Sequence, residues 1–367
     1  MAYRRINSLE YIIVRFLIII NIWWLGCKSY KNPLKSFKVV YKLLNNFRQM
    51  MGNKQLIRAY KINDKYAWDI YNPAWPSKGF NSFFTNHLHE IEPISKDHFS
   101  LRRLLIAITK RCPLQCEHCS EGGTLYNDDV LSYEDFISKI DPYVKNGVGQ
   151  LVLSGGEPLS RFNDLIKLTS HYKDDCDIWI YTSGFGLTLE KAKQLKKAGL
   201  NGAAISLDHH IEEIHNLFRG NKKSYYWVLE SIKNLQEVGI FVALNVCPTR
   251  KYIESNEVEE LIKLAKELNV AIVNILEPRA VGNYQDQKVE LEPRHKEHLI
   301  QLSEKYNYDK AYLTSPTVIY PGAFRNALPC GGGRSYLFLD YDGSLYPCPF
   351  CKVRIEKSNQ HAEVCLA

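Results

Sequence analysis

The 367-residue chain has no long basic run with interleaved aromatics, and its formal net charge is only +7. A nucleic-acid interface leaves a dense basic stripe, so no nucleic acid is expected as a partner. Nor is there an apolar run of the roughly twenty residues that a bilayer-spanning helix takes. The strongest, "YIIVRFLIIINIWWLGC", is apolar from Tyr11 to Leu25 and is broken by Arg15 and Asn21. No small-residue cleavage site follows it, because Trp23 and Trp24 stand where a signal peptide needs small side chains. Leu25 and Gly26 before Cys27 make a poor lipoprotein box. Arg4 and Arg5 precede the stretch, and Lys28, Lys31, Lys35 and Lys38 follow it. Trp, Tyr and Lys beside apolar residues suit a helix lying in a membrane interface. A helix buried against the rest of the protein fits the same residues. The expectation is a cytoplasmic, non-spanning protein, with weak contact to the inner membrane face through residues 11–25 if the helix is not buried.

A disulfide framework is also missing. The chain has 10 cysteines, but seven fall in two groups, Cys112/Cys116/Cys119 and Cys330/Cys348/Cys351/Cys365. Tight groups in a long, intracellular-looking chain favour metal binding over disulfides. Cys27, Cys176 and Cys247 are scattered and read as packing residues. The first group, in "ITKRCPLQCEHCSEGG", lacks a fourth cysteine. A structural zinc site closes with four protein ligands. Three soft thiolates instead hold three irons of a four-iron, four-sulfur (4Fe-4S) cluster and leave the fourth iron to a non-protein ligand. An open iron points to chemistry.

Residues 1–100 read as a helical and aromatic N-terminal extension. "NPLKSFKVVYKLLNNFRQMM" has helical periodicity, and "YAWDIYNPAWPSKGFNSFF" is aromatic and broken by Pro73 and Pro76. From residue 103 the pattern is regular. "LLIAIT", "QLVLSG", "DIWIYT", "GAAISL", "FVALNV" and "AIVNIL" read as buried strands with helices between them. Ser132 and Asp135 have capping-box spacing, and Gly239 suits a helix C-terminus. Strands alternating with helices imply an α/β fold with a parallel sheet, here a partial (β/α)6 TIM-like barrel over residues 101–290. Such barrels carry their chemistry at the C-terminal ends of the strands. The polar motifs fall there: the cysteines, then "SGGEP", "TSGFG", "LDHH", "NVCP" and "EPRAVG".

In "LSGGEP", Gly155 and Gly156 let the backbone approach a ligand, and Glu157 can accept from an ammonium group. Together with the cysteines this resembles the radical S-adenosylmethionine (radical SAM) superfamily. Cys112, Cys116 and Cys119 match its CxxxCxφC motif, with His118 at the usually aromatic φ position, and Gly155, Gly156 and Glu157 match its Gly-Gly-Glu motif. The resemblance covers roughly residues 103–290 and continues towards the C-terminus. It implies that the open iron chelates the amino and carboxylate groups of S-adenosylmethionine. An electron from an external donor of the flavodoxin or ferredoxin type then cleaves the ligand, and the 5′-deoxyadenosyl radical abstracts hydrogen from a substrate. It further implies ligand contacts from Thr182, Ser183 and Gly184, from Ser206 and Asp208, from Asn245, and from the turn at Pro278 and Arg279. His215, Arg219 and Gly220 resemble a family tail after the fourth strand, which argues against a second metal at His209, His210 and His215. No catalytic side chain stands out.

Residues 291–367 end in "CGGGRSYLFLDYDGSLYPCPFC", which reads as a hairpin. Cys330, Gly343 and Cys348 have the C-x12-G-x4-C spacing that resembles SPASM and twitch extensions, which carry auxiliary iron–sulfur clusters. Cys351 and Cys365 complete four ligands for one auxiliary cluster; a structural zinc site would use the same four. Relatives with such tails act on ribosomally made peptides, and others on tetrapyrroles, haem precursors or small metabolites, so the substrate is a peptide or a small molecule. A non-catalytic iron–sulfur or zinc scaffold would explain the cysteines but not Glu157 or the strand-end motifs.

Overall fold

Six short apolar runs pair side by side in the computed structural model, which describes residues 3–54, 56–96, 98, 100–125, 128–324, 330–351 and 353–355. The first hundred residues supply a small antiparallel sheet, β1 (Arg4–Arg5), β2 (Tyr60–Ile62) and β3 (Lys65–Ala67), with three helices, α1 (Ser8–Tyr30), α2 (Pro33–Met50) and α3 (Lys78–Ile91). The expected barrel strands are β4 (Arg103–Ala107), β5 (Gln150–Ser154), β6 (Asp177–Thr182), β7 (Gly202–Ser206), β8 (Phe241–Val246) and β9 (Ile272–Ile275). They lie in sequential order and pair in parallel, as right-handed crossovers through helices produce. The helices are α4 (Tyr133–Lys145), α5 (Phe162–Tyr172), α6 (Leu189–Ala198), α7 (Glu212–Arg219), α8 (Ser224–Glu237), α9 (Arg250–Glu254), α10 (Val258–Glu267) and α11 (Pro293–Tyr308). The capping box at Ser132 and Asp135 opens α4, and Gly239, with φ of +74°, follows α8.

Three more strands lengthen the open sheet, to nine. β10 (Thr317–Ile319) pairs in parallel with β9. β11 (Tyr336–Leu339), the first arm of the C-terminal hairpin, pairs in parallel with β4, and β12 (Leu345–Tyr346) returns antiparallel to it. The hairpin is therefore continuous with the main sheet. Leu337 and Leu339 bury into the same core as Leu104 and Ile106, and β11 covers an edge of β4 that would otherwise be open.

The sheet has a different core on each face. Leu104, Leu151, Ile178, Ile205 and Leu244 pack outward against the helices. On the other face Val152, Trp179, Ala204, Phe241 and Ala243 meet Tyr3, Tyr60 and Ile70 from the N-terminal extension. Tyr3 stands edge-on to both Tyr60 and Phe241, with ring centroids 5.2 and 5.5 Å apart. Buried Tyr60 donates from its hydroxyl to the Ala271 carbonyl at 2.7 Å, and buried Arg58 donates to the carbonyls of Tyr306, in the last turn of α11, and Tyr312, just beyond it. The extension thus plugs the sheet at the N-terminal ends of the strands, and the polar motifs lie at the opposite ends.

Candidate functional site

After β4 the chain keeps close to the end of β5. Ile108 N donates to Ser154 O at 3.0 Å, Gly156 N to Thr109 O at 2.7 Å, and Glu157 N to Arg111 O at 2.8 Å. A Cβ on Gly155 would run into the Thr109 carbonyl, and one on Gly156 into the Arg111 carbonyl. These two glycines are needed because the segment entering the cysteine loop lies against them. Sequence reading assigned them to close approach of a ligand; their open side faces the chain's own backbone.

The cysteine loop is gripped from two sides. Gln115 N and Glu117 N donate to the carbonyls of Arg219 and Phe218 at the end of α7. From the turn after β9, Asn283 Nδ2 donates to Cys116 O and Asn283 N to Cys119 O, both at 2.9 Å, and Tyr284 donates from its hydroxyl to Glu117 Oε1. Gly282, with φ of +60°, lies so close to the Cys119 carbonyl that a side chain would collide with it. Asn283 and Tyr284 close the stretch "EPRAVGNY", which in sequence resembles peptide maturases; nothing there marks a contact with the cysteine loop over such a separation.

Cys116 is buried, while Cys112 and Cys119 are partly open. Burial raises all three thiols, to about 12 at Cys112 and about 11 at Cys119, where the neighbouring sulfurs add to it. At Cys116 the Arg219 guanidinium opposes burial, donating from Nη1 to Sγ at 3.6 Å. Protonated thiols must ionise on binding a metal, so loading the loop releases protons. Among the described residues no three His, Cys, Asp or Glu side chains converge on a point that would hold a single ion. A four-iron cube instead carries its thiolates at separate corners. The donor set fits it: three thiols on one braced loop, with a guanidinium beside the most buried one.

Arg219 also holds Asp208, with Nε and Nη2 each 2.5 Å from Oδ2. Burial would raise the Asp208 carboxyl, but Arg219, with smaller contributions from His118, His215 and the Cys247 N–H, brings the pKa below the ordinary value. Cys247 N donates to the other Asp208 oxygen at 3.0 Å, and Asp208 N donates to His215 Nδ1 at 3.2 Å. His118 stacks on Phe218, centroids 4.7 Å apart, and burial lowers its pKa to about 4. Nδ1 of His118 and Nε2 of His215 are buried polar atoms without a protein partner. His209 stacks on Tyr252 and faces Glu257 at 3.4 Å.

Glu157 is fully enclosed. Its Oε1 accepts from Thr182 Oγ1 at 2.6 Å and Leu159 N at 3.1 Å; its Oε2 accepts from Ser183 N at 2.8 Å and Ser183 Oγ at 2.5 Å. Burial raises its pKa against the pull of these donors. The carboxylate therefore ties the turn after β5 to the turn after β6.

Ser206, Asn245 and Asn274 stand level on β7, β8 and β9. Asn274 Nδ2 donates to Asn245 Oδ1, and Tyr71 of the extension donates from its hydroxyl to Asn274 Oδ1, both at 2.8 Å. Ser206 makes no side-chain hydrogen bond among the described residues. Arg279 pairs with Glu277 at 3.3 Å. Lys110, two residues before Cys112, is buried and pairs with Glu121 and, at 2.8 Å, with Asp340 at the end of β11. Burial opposes its charge, yet the two carboxylates outweigh it and the pKa is raised. The first cysteine loop is thus joined by a buried ion pair to the C-terminal hairpin.

At the other end of that hairpin, Cys351 N donates to Cys348 O at 3.2 Å, and Gly332 N donates to Cys330 Sγ at 3.5 Å. Burial raises the Cys348 thiol, with Cys330 and Cys351 adding to it. Cys365 lies outside the described residues. Tyr336, beside Cys330, is in register with Arg103 at the start of β4. The two cysteine groups therefore sit at opposite ends of a strand, roughly 15 Å at about 3.3 Å per residue.

The Radical SAM superfamily model matches residues 106–265. Curated relatives include GTP 3',8-cyclase of Aliarcobacter butzleri (strain RM4018), 32% identical over 168 residues, 44% of this chain and 51% of that protein. GTP 3',8-cyclase of Campylobacter fetus subsp. fetus (strain 82-40) is 30% identical over 212 residues, 56% of this chain and 63% of that protein. The chain spans about half to two thirds of the length of the curated relatives it matches. Among solved structures, Streptococcus suis SuiB bound to precursor peptide SuiA aligns with a TM-score of 0.59 at 16% identity, over 93% of this chain and 79% of that one. Native anSMEcpe with bound AdoMet aligns with a TM-score of 0.54 at 20% identity, over 71% and 79%. Both likenesses are of fold.

Proposed function

This chain carries a radical SAM superfamily domain over residues 106–265, and on that premise we propose that it is an enzyme that cleaves S-adenosylmethionine reductively and takes hydrogen from a substrate. The observation that carries the reading is the braced loop of Cys112, Cys116 and Cys119, laid against the Gly155–Glu157 turn with Arg219 at Cys116 Sγ. These three cysteines hold a 4Fe-4S cluster. The bound cluster supplies one electron, and S-adenosylmethionine the radical; the protein positions both.

Each candidate site residue has a task in this reading. Gly155, Gly156 and Glu157 present the turn that receives the amino group, and the Glu157 carboxylate braces that turn through Thr182 and Ser183. Ser206, Asp208 and Asn245 face the ligand from the next strand ends, and Asp208 keeps Arg219 in place. Cys330, Cys348, Cys351 and Cys365 hold an auxiliary iron–sulfur cluster. The electron comes from an external flavodoxin- or ferredoxin-type donor. The enzyme is cytoplasmic, in peripheral contact with a membrane through residues 11–25.

The substrate is a ribosomally made peptide. The extent of the likeness to SuiB bound to its precursor peptide, 93% of this chain, supports that choice. A small-molecule substrate is the second reading, favoured by the GTP 3',8-cyclase relatives. Anaerobically reconstituted protein, given S-adenosylmethionine and dithionite, should release 5′-deoxyadenosine measured by chromatography. A fully iron-loaded protein that releases none overturns the enzyme reading, and consumption of GTP overturns the peptide reading.

A further inference from the structure

The charge of the chain is uneven. Residues 1–63 hold twelve Lys and Arg against one acidic residue, Glu10, while the remainder holds 35 against 39. Glu10 is already paired with Arg4 at 2.7 Å. The modest net charge of the whole thus conceals a strongly basic extension on a slightly acidic barrel.

Exposed apolar surface is concentrated in the same place. Of nineteen large apolar side chains exposed among the described residues, eleven lie on α1 and α2. On α1, Ile12, Phe16, Ile20 and Trp24 recur every four residues, 65%, 62%, 42% and 48% exposed. On α2, Leu34 and Phe37 stand 76% and 64% exposed. Soluble proteins seldom leave a patch of this kind uncovered.

The other side of α1 is committed to the protein. Val14, Ile22, Leu25 and Gly26 are buried. Ser36 Oγ on α2 donates to Trp23 O at 2.7 Å, Asn21 Nδ2 donates to Asn81 Oδ1 on α3 at 2.9 Å, and the Tyr30 hydroxyl donates to Leu88 O and Glu92 O. Against the expectation from the apolar run alone, α1 at 23 residues is long and apolar enough to cross a membrane, but to span one it would have to break these contacts and bury Arg15. Held as it is, it lies flat, with one side free.

We propose that the free faces of α1 and α2 together form a docking surface for an anionic lipid bilayer. This rests on the peripheral-contact reading and extends it from residues 11–25 to a two-helix platform. The apolar stripe requires a non-aqueous partner. The lysines around it, with Lys28 over the Trp24 ring at 3.5 Å and Lys31, Lys38 and Lys42 exposed, require negative charge. A bilayer with anionic headgroups supplies both. A second copy of the chain would set two basic surfaces against each other. The extension docks on residues that precede the strands, with Asn86 donating to Leu101 O and Tyr60 to Ala271 O. Docking therefore brings the base of the sheet to the membrane and leaves the end that carries Cys112, Cys116 and Cys119 towards water.

The test is co-sedimentation of the full-length, cluster-loaded protein with vesicles of phosphatidylcholine alone or mixed with phosphatidylglycerol. Binding is expected only to the anionic vesicles, weakening as salt rises, with about fivefold lost per neutralised lysine. The paired variants Ile12→Glu/Phe16→Glu and Leu34→Glu/Phe37→Glu should each reduce binding tenfold or more with iron content unchanged. If only the α1 pair matters, the platform is overturned while contact through residues 11–25 stands. If wild type binds neither vesicle, both fail; resistance to a carbonate wash from native membranes would mean that α1 spans and would overturn the flat platform.

Discussion

Arg219 reaches Cys116 Sγ with Nη1 at 3.6 Å while its Nε and Nη2 hold Asp208 Oδ2 at 2.5 Å. One planar guanidinium spans a cysteine of the first group and a carboxylate after the fourth barrel strand. A lysine, with a single nitrogen at its tip, could serve one of the two but not both.

Arg219→Leu should therefore destabilise the metal-free protein by about 3–5 kcal/mol, since it leaves Asp208 charged and buried. Iron retention should fall as well. Urea unfolding and iron per chain measure the two effects. Arg219→Lys should regain part of the stability and less of the iron; equal recovery of both would mean that the contact with Cys116 is incidental.

Anaerobically purified protein should be brown and hold about eight irons, four for each of two clusters. Replacing Cys112, Cys116 and Cys119 together by Ala should leave about four and abolish 5′-deoxyadenosine release. Stoichiometric zinc in place of the second set of irons would remove the auxiliary cluster from the proposal.

Glu157→Ala removes the acceptor of four hydrogen bonds and frees the turns after β5 and β6 from each other. Affinity for S-adenosylmethionine should drop roughly ten- to a hundredfold, the equivalent of a charge-assisted bond. Equilibrium dialysis gives the affinity, and an unchanged iron content shows that the cluster site survives. Equal affinity in mutant and wild type would show that the ligand does not depend on this turn.

His215 is buried and neutral, its pKa lowered by burial to about 4, with Asp208 opposing. The unfolded chain takes up the proton near the ordinary 6.5, so between about 6.5 and 4 it binds more protons than the folded one. The contribution is present above 6.5 and is lost as pH falls, on the order of 3 kcal/mol across that window. Metal-free protein should thus lose stability from neutral pH downward, and His215→Gln should flatten the slope by about one proton. An unaltered slope would mean that His215 is protonated in the fold.

Much of this was local and therefore legible in the sequence. The six barrel strands are short apolar runs with turn signals after them, and a parallel strand buried on both faces has little other appearance. The spacing of Cys112, Cys116 and Cys119 is a property of eight consecutive residues. The hairpin from Tyr336 to Tyr346 and the capping box at Ser132 are equally local.

What the sequence could not express is which distant segments meet. Tyr3 and Tyr60 fill the inside of the sheet because that concave face needs apolar volume, and no periodicity in residues 1–100 announces a plug. Gly155 and Gly156 looked like room for a ligand; only the pairing of residues 108–111 with 154–157 shows that the Cβ side of each lies against the chain's own backbone. Glu157 looked free to meet an ammonium, and the fold closes four donors around it because a buried carboxylate must be satisfied. Lys110 and Asp340, far apart in the chain, become a buried pair only because β11 takes the open edge of β4. Composition and spacing determine the strands and the thiols; three-dimensional closure of the sheet decides which charges neutralise one another around them.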